Sequence, residues 1–288
     1  MALRSNPTLR QRRLGAELRR MREQAGLGGS QLARELGINP AHVTQMEGGK
    51  TGISVERLQL IASVCMCANQ PLLDALAEII TERERGGWWE EYRGTLPIDF
   101  LEVAELEGAA HRLSTYTTAF LPGLLQSGAY ARTLFAQTYP PLPSHEVDLR
   151  TIFRLRRQDI VRSGLTPYIA FIHETALRMQ FCGPEVLSAQ LDSLIVDSEF
   201  PDISVRVVPF TASVSPSPSE NFTYAEGPIA ELDSAQMDTG HGIRLFDSPA
   251  HLARFRALLA QMESSALSEE KSRDLIRSIK EEVGSKHD

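Results

Sequence analysis

The chain has 288 residues, 42% of them hydrophobic and 23% charged, which is enough for a sizeable core and too balanced for wholesale disorder. Its net charge of −7, taken alone, argues against a nucleic-acid partner, but the charge is unevenly spread. Residues 1–64 hold ten Arg or Lys against five Glu, a net +5, whereas the remaining 224 hold twenty basic and thirty-two acidic groups, a net −12. A basic head on an acidic body suits a module that meets phosphate followed by one that need not.

The head reads as five short helices. The first spans about Thr8 to Gln24, with Leu14, Leu18 and Met21 at helical spacing and Arg10, Arg12, Arg13, Arg19, Arg20 and Arg22 on its polar side. Gly26 and Gly28-Gly29 break it. The second runs to Leu36 with Leu32 and Ala33 inward, and Gly37 stops it. Asn39-Pro40, a cap followed by proline at the first helical position, opens the third, which presents Val43 and Met46 inward and ends at Gly48-Gly49. Ser54 caps a fourth helix, burying Leu58 and Ile61; a fifth begins near Asn69 and carries Leu72, Leu73, Leu76, Ile79 and Ile80. After Gly86-Gly87, the Trp88-Trp89 pair is expected to pack the linker onto the second domain.

Beyond this point helices are predicted over Leu101–Ser114, Tyr130–Gln137, Ser144–Val161, Pro184–Glu199, Pro249–Met262 and Ser268–Glu282, with a turn at Phe120–Gln126. Strands are predicted over Pro167–His173, Ile203–Phe210, Asn221–Ala225, Ile229–Asp233 and Ile243–Phe246; the first two, with a helix between them, fit a parallel crossover. The Ser- and Pro-rich stretch 211–220 reads as a loop or lid. The expected organisation is an all-α five-helix, repressor-like helix-turn-helix bundle over 1–85 and an α+β domain with a small mixed sheet over 86–288.

Two short helices joined through Gly37-Ile38-Asn39 have helix-turn-helix proportions, so the second of the pair is the one that enters the major groove of double-stranded DNA. Gln45 pairs bidentately with adenine, His42 donates to a base acceptor, and Ala41 meets a thymine methyl. Thr44, Lys50, Arg57, Arg10, Arg12 and Arg13 are expected at phosphates, which fix position and carry no sequence information.

Three cysteines, Cys65, Cys67 and Cys182, make neither a disulfide framework nor a zinc spacing, and no window approaches the ~18 apolar residues of a membrane helix. The N-terminal arginines lead into no apolar stretch, so no signal peptide is expected. A cytoplasmic protein without membrane partner, metal or cofactor follows. No catalytic residues are assigned: His173-Glu174 lacks the second histidine of a zincin, since Leu177 stands there, and no nucleophile elbow, phosphate-cradling loop or dinucleotide fingerprint is present.

The run Leu27–Asn39 followed by Val43-Thr44-Gln45-Met46-Glu47-Gly48-Gly49 resembles the phage-repressor-like xenobiotic-response-element class of helix-turn-helix domains. Gly28-Gly29 stand where that class usually has Ser then Gln, which removes a side-chain cap and one expected DNA contact. Farther on, the blocks Trp89–Gly94, Leu106–Ala110, Leu121–Arg132, Arg154–Gln158, His173–Arg178, Ala189–Leu191 and Val207–Phe210 resemble, in order, actinobacterial regulators that carry the DUF5753 domain, sometimes called Scr1-like antitoxin regulators. That resemblance implies a cytoplasmic transcriptional regulator and a small DUF397-type protein as partner. Within the body, Glu107, Arg157, Gln158 and Glu174 form either a semi-buried polar network that fixes domain shape or the lining of a small-molecule effector pocket with 211–220 as its lid.

Two functional readings remain. In the first the protein is a sequence-specific, homodimeric DNA-binding regulator whose body senses an effector or partner. In the second it is an antitoxin-like adaptor whose body binds a small protein while DNA binding tunes its own operon.

Overall fold

In the computed structural model, which describes residues 7–82, 87–212, 221–239 and 242–285, the Thr8 hydroxyl and the Gln11 side chain accept from each other's backbone N–H at 3.4 and 3.1 Å. This capping box opens α1 (Leu9–Gln24). Four more helices follow: α2 (Gly29–Glu35), α3 (Pro40–Glu47), α4 (Val55–Val64) and α5 (Gln70–Glu82). Their inner faces, including Leu18, Met21, Leu32, Val43, Met46, Leu58, Ile61 and Leu76, form one buried cluster. The apolar spacing read from the sequence thus specifies the N-terminal bundle.

The chain divides into two compact units, residues 1–109 with 227–232 and residues 110–226 with 233–288. The first unit also contains a 3-10 turn at Trp88–Tyr92 and α6 (Ile98–Gly108). Trp88 meets Trp89 and Tyr92 edge-on at 6.0 and 6.1 Å. The Trp89 indole covers Gly108 so closely that a Cβ there would come within 2.8 Å of it.

The second unit is built on a six-stranded mixed sheet. Its elements, in chain order, are β1 (Arg112–Thr117), α7 (Gly128–Ala136), α8 (Ser144–Arg157), α9 (Asp159–Arg162), β2 (Tyr168–His173), α10 (Glu174–Arg178), α11 (Pro184–Asp197), β3 (Ile203–Val208), β4 (Phe222–Glu226), β5 (Ser234–Thr239), β6 (Gly242–Phe246), α12 (Pro249–Ser265) and α13 (Glu269–Ser285). The sheet order is β3-β2-β1-β4-β5-β6. β1, β2 and β3 run parallel, so helices must connect them, while β1, β4, β5 and β6 pair antiparallel. The outer edge of β3 is covered: Val207 N–H donates to Ser272 Oγ at 2.9 Å, and Leu267 N–H donates to the Val207 carbonyl.

Two expectations are corrected. The helix predicted to reach Ser114 ends at Gly108, and Arg112–Thr117 is a central strand. Paired on both sides, it buries Leu113 through Thr117, and β-branched Thr115 and Thr117 with Tyr116 suit that setting. The strand expected at Ile229–Asp233 is instead a 3-10 turn at Ala230–Leu232, whose Leu232 joins the core of the helical unit. The strand after it, β5, was not predicted: Ser234, Gln236 and Asp238 alternate with Ala235 and Met237, but Thr239 is its only β-branched residue and none is aromatic. Most of the predicted lid, 213–220, lies outside the described residues.

Candidate nucleic-acid interface

The orientation of α3 is decided at its two ends. At the front, Asn39 Oδ1 accepts from the Ala41 N–H at 2.8 Å and Pro40 takes the first helical position. The turn before it uses Gly37 at φ +64°, with Ile38 N–H returning to the Ala33 carbonyl, a left-handed stop that a side chain would strain. Gly28 provides α2 with no side-chain cap, as its composition requires; its N–H instead donates to Gln31 Oε1 at 2.6 Å.

At the back, α1 and the end of α3 approach backbone to backbone. A Cβ on Gly15 would lie 2.4 Å from the Glu47 carbonyl oxygen, and one on Gly49, itself at φ +69°, would lie 2.7 Å from that of Gln11. Only glycine permits this contact. Beside it Arg22 forks onto Glu47, with Nε to Oε1 at 2.6 Å and Nη2 to Oε2 at 2.9 Å, while its Nη1 donates to the Leu27 carbonyl. The pair is 12% and 13% exposed, so solvent screens it little. Glu47 in turn raises the Arg22 pKa further above its ordinary value. A carboxylate at position 47 was legible as part of a Glu-Gly motif; its partner was not, because Arg22 read as one of six arginines on a polar face.

With Val43 and Met46 buried behind it, α3 leaves Ala41 and Thr44 exposed and His42 and Gln45 half-exposed. The Thr44 hydroxyl donates back to the Pro40 carbonyl at 3.4 Å. Among the described residues, the Gln45 amide has only a long 3.5 Å approach from the Thr51 hydroxyl. Lys50 follows directly, exposed, its backbone N–H on the Gln45 carbonyl at 2.9 Å. Arg57, in the first turn of α4, is half-exposed, with one guanidinium nitrogen 3.5 Å from the Leu36 carbonyl.

The α1 arginines are placed differently. Arg13 is 7% exposed, paired with Glu17 and donating to the Glu231 carbonyl. Arg12 bonds the Pro7 carbonyl at 3.0 Å and pairs with Glu102 of α6 at 2.8 Å. Leu9 N–H donates to Glu105 Oε2 at 3.0 Å, and burial pushes the Glu105 carboxyl above its ordinary range despite that bond and the field of Arg10. The start of α1 is thus fastened within its own unit, with Arg13 paired in its interior and Arg12 paired at its surface, the Arg12 side chain 40% exposed.

In the second unit Gln158 is fully buried, its Nε2 donating to the carbonyls of Gln126 and Gly123 at 2.7 and 3.2 Å. Gln126 binds the Leu121 carbonyl and receives Arg154, and Gln190 clamps Leu125 and Ser127. These three glutamines pin the 121–127 turn. Glu174 serves a separate array, receiving Arg178 at 2.8 Å and the Phe210 N–H at 2.9 Å. Arg157 is half-exposed on α8, and Glu107 is buried on α6 in the first unit. Gln126 and Gln190 fall within the Leu121–Arg132 and Ala189–Leu191 blocks but were given no role, since an isolated glutamine carries no spacing signal.

Among the described residues no helix is long and apolar enough to cross a membrane, and no group of three or more His, Cys, Asp or Glu is placed to hold a metal. Family models match twice: a helix-turn-helix domain over residues 13–76, and a domain of unknown function, DUF5753, over residues 100–278. No curated protein and no solved structure matches the chain. The helix-turn-helix match runs from within α1 through α4 into α5, and it supports DNA binding as a regulatory activity. The DUF5753 match takes in more than half of the residues, and the chain therefore belongs to the DUF5753 family, with a helix-turn-helix domain at its N-terminal end.

Proposed function

We propose that this protein is a sequence-specific transcriptional regulator that binds double-stranded DNA as a homodimer, its C-terminal domain answering to an effector or partner. The observation that carries the DNA reading is the outward side of α3, where Ala41, His42 and Gln45 stand clear of the core on a helix braced by Arg22, Glu47 and two glycine contacts. Gln45, with only a long contact of its own, is free to make the bidentate adenine pair its amide geometry allows. Thr44 on the same helix, with Lys50 and Arg57 beside it, meets phosphate; Arg10 is a further phosphate contact. Arg12 and Arg13 are left out of this set, because their guanidiniums serve Glu102, Glu17 and the Glu231 carbonyl. A single eight-residue helix reads few base pairs, and a second copy on a two-fold site supplies the rest.

Selection of the full-length chain against a pool of randomised duplexes tests this reading. A recovered motif that disappears with His42→Ala plus Gln45→Ala supports it. Retention no better than that of the unselected pool, at low salt, overturns it.

A further inference from the structure

Strand register places Tyr116, Phe222, Met237 and Arg244 side by side across β1, β4, β5 and β6. Partners in neighbouring strands project to the same face, so this row makes one continuous floor. α12 lies over it and supplies Arg254, Phe255, Leu258 and Met262 at helical spacing. Between floor and helix is a space of about 290 Å³, near the lower end of the ~300–1,000 Å³ typical of small-molecule sites. The space opens to solvent past the exposed Arg244, His251 and Arg254, so a ligand can enter it without unfolding the helix.

Its walls are apolar inside and polar at the mouth, where Thr239 and His251 join the arginines. Phe222 and Phe255 are 5.1 Å apart, Phe246 and Phe255 5.4 Å, and Met237 and Met262 are buried beside them. The margin is cationic: Arg244, over the Phe246 ring at 5.1 Å, and Arg254 are both exposed. No Asp or Glu is among the described lining residues, although the chain after residue 64 is acidic overall. An apolar interior with an arginine margin and no carboxylate selects a small molecule with a hydrophobic body and a negative end.

We propose that the space between α12 and the sheet binds an amphipathic organic anion, a carboxylate on a one- or two-ring aromatic body, with the rings against Phe222, Phe255 and Leu258 and the carboxylate met by Arg244 and Arg254. This deepens the effector-responsive part of the reading above. The binding is measurable without DNA, so its failure leaves the assignment of α3 standing.

The test is calorimetric titration of the full-length chain, free of DNA, with 2-naphthoate and with its neutral counterpart 2-naphthamide. Saturable 1:1 binding of 2-naphthoate is expected, about tenfold tighter than that of the amide. Arg244→Gln with Arg254→Gln should bring the two to equal affinity without touching the buried walls. Leu258→Trp, at a half-exposed position, should fill the space and abolish both. Absence of saturable 2-naphthoate binding up to millimolar concentration overturns the site. Binding undiminished in Leu258→Trp overturns its location, and equal affinity of acid and amide in the unaltered chain overturns the choice of an anion.

Discussion

On and beside α3 the groups offered for recognition, Arg10 apart, come from one short stretch of chain, residues 41–57, and they face outward. Beneath α12 the lining is gathered from β1, β4, β5, β6 and α12, residues 116 to 262, and it faces inward. The first arrangement depends on a few backbone approaches, so one added atom disturbs all of it. The second spreads its cost over many side chains, so single changes there alter affinity by degrees. A polar surface read by hydrogen bonds needs its helix held rigidly; an apolar enclosure needs only volume and a charged margin.

The sharpest way to break this contrast is Gly15→Val. Its Cβ meets the Glu47 carbonyl at 2.4 Å, where neither backbone has room to yield, and a loss of about 3 kcal/mol in denaturant unfolding is expected. A loss below about 1 kcal/mol would show that α1 and α3 are not locked as described.

Glu47→Ala comes next. It leaves the largely buried Arg22 without its fork, at a cost of about 2 kcal/mol, and weakens DNA binding. The 2-naphthoate titration should be unchanged in the same variant, since none of the lining residues lies on α1 or α3. A parallel loss at both sites would erase the distinction between them.

The smallest effect concerns the other end of α1 and appears as a pH dependence. Burial, outweighing the hydrogen bonds from Thr8, Leu9 and Arg10, raises the Glu105 pKa in the folded chain above its ordinary 4.5. Folding therefore favours the protonated carboxyl. Its contribution is complete below 4.5 and is lost as pH rises through the raised folded value. Relative to Glu105→Gln, the unaltered chain should gain stability as pH falls from neutrality toward 4.5. A gain in the opposite direction would mean that the positive end of α1 outweighs burial.

These cases show where sequence reasoning reached and where it stopped. The caps at Asn39 and Ser54, the glycine stops and the 3.6-residue apolar spacing are local, and all five head helices follow from them, although the Thr8 cap of α1 was not read beforehand. Met66, at φ +53°, closes α4 in the left-handed conformation without the glycine that would have announced it. In the body, β1 is buried on both faces yet carries Ser114, Thr115 and Thr117 right after a helix, so no apolar period marked it, and β5 carried polar residues against a neighbouring strand. On α3 the exposed residues were legible because Val43 and Met46 fixed which side faced in. Arg12 and Arg13 were not, because their partners lie about 90 and 218 residues away in sequence. The space under α12 had no sequence signal at all: only strand register brings Tyr116, Phe222, Met237 and Arg244 into one row.

Parallel titrations of Gln45→Ala and Lys50→Ala on a selected duplex and on an unrelated one test the assignment of α3 most directly. Gln45→Ala should lose about tenfold to a hundredfold on the selected duplex and almost nothing on the other, since a base contact carries about 1–3 kcal/mol of discrimination. Lys50→Ala should weaken both duplexes alike and reduce the salt slope by about one. Equal losses on both duplexes for Gln45→Ala, or none on either, would contradict the placing of base recognition on α3.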